Sequence, residues 1–598
     1  MEQRLIEGLE ALGAQLTALA MPLVARDSTQ AAQVASRAAG QIGDLIIPRL
    51  QSLEAPLLTV VAGSTGSGKS TVVNSLVGRT VSQPGVLRPT TRHPVLVHNP
   101  GDERWFIDDR VLPHLPRLTG ADPRGGPVGA QDVFGLHLIA DERVPAGLAL
   151  LDAPDIDSVS ASNRSLAATL MAAADLWLFL TTAARYSDAV PWAALRAAVA
   201  RDAAIALLLN RVPPEAVGEV TAHLRTLLAA EGLASAPLFV VAEAPLRDGL
   251  VAGEAIDPVR RWLVDLAGDA AGRAAIARRT LDGAISNLAV DLLPVAEAAD
   301  RQVVVSARLH GLARAPFESA AGRVDELTAD GSLLRGEVLA RWQEFVGASE
   351  VFRSLETGIA RFRDRVSRAL RGEPEQPQQV AKALESGLAR VITAELAGAY
   401  EQADAAWRED PAGRALLAGA ELSTPPADVR TRAEELVRAW QGDVLDMVRT
   451  EGADKRSSAR ALAYGVNAAA LALMIVAFSA TGGLLGAEVG IAGGSAVLAQ
   501  KLLEAVFSED AVRRMAKTAR ERLNQRVAEF YLAHAATFTD QLDALGVDPE
   551  AGPRLRRAIA EVVDHRGTRP AADLPAAPAD AVPRPTARTR LRDWVRGR

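Results

Sequence analysis

The stretch GSTGSGKST, Gly63 to Thr71, limits what this chain can fold into more than any other. It follows LLTVVA (57–62), a β-rich apolar run, and leads into VVNSLVG, a helix-forming run. The pattern G-x-x-x-x-G-K-[ST] between a strand and a helix is a loop that cradles phosphates. Gly63, Ser64, Thr65, Gly66, Ser67 and Gly68 let successive backbone N–H groups curl around phosphate oxygens. Lys69 reaches the β- and γ-phosphates, Ser70 offers its hydroxyl to Mg²⁺, and Thr71 follows on the helix. The helix N-terminus adds a favourable partial positive charge.

A loop of this kind needs a buried sheet behind it, and the chain supplies candidate strands. They are LLTVVA (57–62), PVLVH (94–98), RWFID (104–108), VFGLHLI (133–139), GLALLD (147–152), DLWLFLTT (175–182), AIALLLN (204–210) and PLFVVA (237–242). Several are apolar throughout, as strands covered on both faces must be. Helical segments separate the later ones, the rhythm of a mostly parallel α/β sheet. The predicted fold is therefore an α/β phosphate-loop domain over 51–255.

Residues 1–50 read as a helical segment packing on the later helices, because Leu5, Leu9, Leu12, Leu16 and Leu19 form one apolar stripe. From 256 to 455 the pattern is a long α-helical bundle or stalk, with stripes such as Leu334, Val338, Trp342 and Phe345. Breaks fall at RGEPEQPQQ (371–379) and STPPAD (423–428). An apolar hairpin or paddle is expected over 456–505, returning helices over 506–565, and a disordered basic tail over 566–598. Formal net charge is −7, and no basic groove with interleaved aromatics is evident, so nucleic acid is not an expected partner. The chain has no cysteine, which excludes disulfides and thiolate metal sites. Its first residues lack a basic segment followed by an apolar run, so no signal peptide is read there.

Asp152 stands at the carboxyl end of an apolar strand, where ligands bind in open α/β sheets. It is the expected outer partner of Mg²⁺. In GVLRPTTRHPVLV (85–97), Thr91 is placed to close on Mg²⁺ and sense the γ-phosphate, with Thr90 as the alternative. Arg92 is placed to neutralise developing charge. Asn210, at the end of AIALLLN, anchors the phosphate loop, and the stem of Arg211 covers a base face. Arg185 and Tyr186 follow another strand and belong either to the site's rim or to the scaffold.

GSTGSGKS, PTTRHP, LLDAP and a helical half after the α/β domain together resemble the dynamin-like branch of large GTPases, and more closely an actinobacterial group of dynamin-type GTPase-domain proteins. The motifs cover about 57–245. The resemblance implies Mg²⁺-dependent GTP hydrolysis, homodimerisation or pairing with a related GTPase, and membrane lipid as a partner, at the cytoplasmic face of the cell membrane. Three positions depart from the family pattern. Thr65 and Gly66 stand where Gln-Ser is usual. Asn210-Arg211-Val212-Pro213 lacks the carboxylate that reads guanine, so ATP stays open, with Glu215 as a nearby substitute. Asp155 replaces the glycine of D-x-x-G. Asp155 and Asp157 either join a metal shell or cap the following turn, the second being preferred. The expected result is slow or restricted hydrolysis. A nucleotide switch with little turnover and a phosphate-loop ATPase are the alternatives.

From Ala461 to Gln500 the only charge is Glu488. The stretch is long enough for one span or two short ones, with Leu473 and Ile475 as expected membrane-contact positions, where charged substitutions should abolish liposome binding. Gly482, Gly486, Gly490 and Gly494 recur every four residues, a smooth ridge for close helix approach. A membrane hairpin and a pair of core helices both fit this pattern.

Overall fold

The architecture comes from a computed structural model of the 598-residue chain. It describes residues 2–82, 94–108, 111–112, 115–118, 135–157, 161–200, 202–329, 337–346, 375–418, 420, 422–453, 466–479, 499–501, 503–504, 506–567 and 574–583. Two compact units emerge. The first comprises 1–20, 29–299 and 550–598; the second comprises 21–28 and 300–549.

The first unit is built on an eight-stranded sheet. Its strands are β1 (Leu57–Gly63), β2 (Val95–His98), β3 (Arg117–Leu118), β4 (Leu136–Ala140), β5 (Leu148–Asp152), β6 (Leu176–Thr182), β7 (Ala204–Val212) and β8 (Leu238–Ala242). The order is β3-β4-β2-β5-β1-β6-β7-β8. Every pairing is parallel except β2 with β5. All residues of β1, β5 and β6 are buried. Alternation explains how both faces are covered. Leu58, Val60 and Ala62 enter one cluster with Trp177 and Phe179, whereas Leu57 and Val61 enter the other with Leu148 and Leu178. The first face packs residues of α5 (Ala161–Ala173), α6 (Ala189–Ala200) and α7 (Val217–Ala230). The second packs residues of α4 (Lys69–Val77) and α8 (Gly253–Gly268).

RWFID, expected as a strand, is not one. Asn99 accepts a hydrogen bond from Gly101 N–H, Pro100 opens the first turn, and Pro100–Trp105 closes as a 3-10 helix. The local cap outweighs the β-rich composition.

Two outlying segments pack within the first unit. Helix α1 (Glu2–Ala18) buries Leu5, Leu9, Leu12 and Leu16, and packs on Ala551–Arg566 within the first unit. The tail was expected to be disordered, yet residues 574–583 lie on the sheet domain. Val240 N–H donates to Ala581 O (2.9 Å), Trp262 Nε1 donates to Pro575 O (3.0 Å), and Ala581 is buried.

The second unit is helical. Its described helices include the later part of α9 (Ala270–Ala329), then α10 (Glu337–Val346), α11 (Glu375–Glu409), α12 (Pro411–Leu416), α13 (Val429–Ala453), α14 (Val466–Ser479) and α15 (Glu509–Asp543); Ala551–Arg566 is α16. Helix α11 begins inside the expected break at 371–379. Phe317, Tyr400, Trp407 and Phe538 form a linked aromatic cluster. Helix α14 packs against α11, α13 and α15. Leu473 and Ile475 are 0% and 2% exposed, so in this conformation they are core residues rather than a membrane surface. Among the described residues, no helix is long and apolar enough to cross a membrane. Gly482, Gly486, Gly490 and Gly494 lie outside the described residues.

Candidate nucleotide site

The cradle forms where β1 ends and α4 begins. Two glycines are required there by close approach. A Cβ on Gly63 would lie 2.2 Å from Leu180 O on neighbouring β6. Gly68 has φ +96, and a Cβ there would lie 2.7 Å from Asn210 Nδ2. Asn210, buried at the end of β7, donates from Nδ2 to Ser67 O (2.9 Å) and so ties the strand end to the loop. The hydroxyls of Ser64 and Ser67 are buried and lack partners, although Ser67 N–H donates to Ser64 O (3.2 Å). Buried orphan hydroxyls are costly unless a ligand satisfies them. Gly66 and Thr71 complete the loop at the positions the motif assigns.

Lys69 is 6% exposed, and its ammonium donates to Gly63 O and Ser64 O, both at 3.1 Å. Its third partner is the Asp155 carboxylate. Asp157, two residues on, accepts from Thr65 N–H (2.7 Å) and Thr65 Oγ (2.6 Å). Arg185 donates to Thr65 O (3.2 Å) and to the other Asp157 oxygen (3.3 Å). Asp155 and Asp157 therefore dock on the phosphate loop, which corrects the preferred reading of them as caps of the following turn. Burial pushes the Asp157 carboxyl up, but the Thr65 hydrogen bonds and the Lys69 charge outweigh it and hold it below the usual range.

Asp152 is fully buried at the end of β5. One oxygen accepts from Ser70 Oγ and Ser82 Oγ, each at 2.6 Å. The other has no partner. Burial pushes the Asp152 carboxyl up, against the hydrogen bonds from Ser70 and Ser82 and the charge of Lys69. A serine hydroxyl beside a buried carboxylate with a spare oxygen is a hard-oxygen donor set that suits Mg²⁺, directly or through water. Among the described residues no group of three or more His, Cys, Asp or Glu could hold a metal, so an ion here would depend on water and phosphate ligands as well.

Ser82 and Asn74 were not foreseen. Asn74 Oδ1 accepts from Val81 N–H (2.8 Å) and Ser82 N–H (2.9 Å), while its Nδ2 donates to Ser82 O (2.7 Å). This clamp delivers the Ser82 hydroxyl to Asp152. Thr91 and Arg92, with Thr90, lie outside the described residues. Arg211 is exposed, with φ 52, just where the β7–β8 register shifts between Leu209 and Val212. Glu215 stands exposed on the 3-10 turn Pro214–Ala216.

No protein-family model matches the chain, and no curated protein matches it. Solved structures similar to it include two from an oligomerised bacterial dynamin pair, a pair said to provide a mechanism for long-range sensing and tethering of membranes. They are 12% and 11% identical, cover 93% of each chain, and give TM-scores of 0.42 and 0.40. A third is LeoA, a bacterial dynamin GTPase from ETEC, 12% identical over 94% of each chain, with a TM-score of 0.24. The chain is similar to bacterial dynamins. What its cradle can do chemically follows from its own residues. Backbone N–H groups, Lys69 and the helix N-terminus make a cradle whose chemistry suits a polyphosphate, and Ser70 with Asp152 offers hard oxygens that suit a cation.

Proposed function

We propose that the chain is a dynamin-like GTPase that binds GTP with Mg²⁺, pairs through its nucleotide units, and associates peripherally with membrane lipid at the cytoplasmic face. The observation that carries the nucleotide reading is the clustering of unsatisfied buried oxygens, Ser64 Oγ, Ser67 Oγ and one oxygen of Asp152, around the buried Lys69 ammonium. Each is a group that a phosphate or a cation would satisfy. Thr91 and Arg92 remain the proposed switch residues, and Arg211 the proposed cover for the base. Guanine is the proposed base on the motif resemblance alone, since Asn210-Arg211-Val212-Pro213 offers no carboxylate to read it. Membrane association draws on the apolar sequence that follows α14, where 480–498 carries the four spaced glycines.

A slow switch is the second reading. Asp155 pairs with Lys69, and Gly66 offers no side chain to position water. Titration of GTP and ATP with Mg²⁺ tests the assignment. Lys69→Ala is expected to weaken GTP binding by about 100-fold, because it removes charge-assisted contacts to phosphate of about 1.5–3 kcal/mol. Tighter binding of ATP than GTP overturns the base assignment. Equal binding by wild type and Lys69→Ala overturns the site.

A further inference from the structure

The loop after β5 lays two carboxylates across the phosphate cradle. Asp155 sits on the Lys69 ammonium, and Asp157 sits on the Thr65 N–H and hydroxyl. Between them, Ile156 N–H donates to Gly63 O (3.5 Å), which pins the intervening peptide along the loop. Behind them, Arg185 holds Asp157 from the far side. These donors belong to the motif that binds phosphate, and carboxylates compete for them as anionic oxygen acceptors of the same sign.

We propose that Asp155 and Asp157 occupy the phosphate positions of the free protein and determine specificity, admitting only ligands with at least two linked phosphates. This rests on the nucleotide-binding reading above. A lone phosphate reaches one donor group and leaves the other carboxylate beside it. Like charges held this close repel, and more strongly at a protein surface than in bulk water. A polyphosphate reaches the Lys69 and Thr65 positions together and replaces both carboxylates at once. The same exchange strips Arg185 of its carboxylate while Thr65 O keeps the guanidinium at the rim, where it can meet the incoming charge.

Inorganic phosphate, pyrophosphate and fluorescently labelled GDP and GTP are the probes, titrated into full-length wild type, Asp155→Asn, Asp157→Asn and the double variant. Wild type is expected to bind pyrophosphate and the nucleotides but not phosphate. Each single variant should bind nucleotide about tenfold tighter, the size of one charge-assisted hydrogen bond, and the double variant should admit phosphate. Both substitutions are isosteric, and each single variant reports separately if the double fails to fold. Nucleotide binding that is unchanged within twofold in both single variants overturns the gate and leaves the nucleotide site standing. Phosphate binding by wild type as tight as pyrophosphate also overturns the gate alone. A wild type that binds neither pyrophosphate nor nucleotide overturns the nucleotide reading and the gate with it.

Discussion

Tyr400 and Asp152 are both buried polar side chains, one in each unit, and they are served differently. The Tyr400 hydroxyl meets His534 Nδ1 at 2.9 Å and Thr537 Oγ at 3.3 Å. Its neighbours in the helical unit follow suit. Tyr531 donates to Ile392 O (2.7 Å), Trp407 to Leu309 O (3.1 Å) and Trp440 to Ala519 O (2.7 Å). Asp152 instead keeps one oxygen without a partner, and so do the hydroxyls of Ser64 and Ser67 around it. These hydroxyl and indole groups of the helical unit are paired inside the fold, although the buried His534 Nε2 is left without a partner. The sheet unit has unpaired buried oxygens at Thr59, Thr181 and Thr221 too, but those of Ser64, Ser67 and Asp152 belong to the phosphate-loop motif and its strand-end partner, where a ligand would satisfy them.

Breaking this contrast is possible at three depths. The largest effect is expected from Leu473→Asp. As a fully buried core residue of α14, it should cost the helical unit about 4 kcal/mol or more in urea unfolding, with GTP binding retained. If the variant unfolds like wild type yet no longer sediments with liposomes, Leu473 faces lipid and the scaffold assignment of α14 fails. A smaller effect is expected from Ser82→Ala, which removes one hydrogen bond to Asp152. It should lower the stability of the nucleotide unit by about 1 kcal/mol, read as a shift in its melting. No shift, with unaltered Mg²⁺ dependence of nucleotide binding, would remove Ser82 from the cation side of the site.

The smallest concerns His534. Burial holds its imidazole below the usual range, and the Arg432 charge adds to this against Asp428. Its folded value lies under the unfolded one near 6.5, so the unfolded chain binds the proton more readily. The resulting stability is present above about pH 6.5 and is lost as pH falls through that value toward the folded one. Urea melts of the helical unit at pH 7.5 and 5.5 should differ, and His534→Gln should flatten the difference. Identical melts would show that the Tyr400–His534 contact tolerates the proton.

Much of the sheet unit was legible because its signals are local. Central strands read as unbroken apolar runs, and the phosphate loop is contiguous from Gly63 to Thr71. Contacts made across long separations were not legible. Ser82 reaches Asp152 seventy residues away, and no local pattern announces it. Asp155 and Asp157 look like turn formers until the fold brings Lys69 and Thr65 beneath them. The 466–479 run was ambiguous for another reason. A protein core and a bilayer are both apolar solvents, so hydropathy alone does not separate them; packing against α11, α13 and α15 does. The tail composition promised disorder, but Pro575 and Ala581 offer backbone carbonyls to Trp262 and Val240, a use of backbone that composition does not encode.

The pairing of α1 with α16 sets an order of events during synthesis. The leucine stripe of α1 emerges first, and the helix that covers it ends at Arg566. At roughly 5–20 residues per second, about half a minute to two minutes separates the two. For that interval α1 has the nearby segment 42–50 but not α16 to pack on, while the whole helical unit is being made between the halves of the first unit. Chaperone dependence during translation, and tolerance of refolding once released, are therefore expected to diverge for this chain.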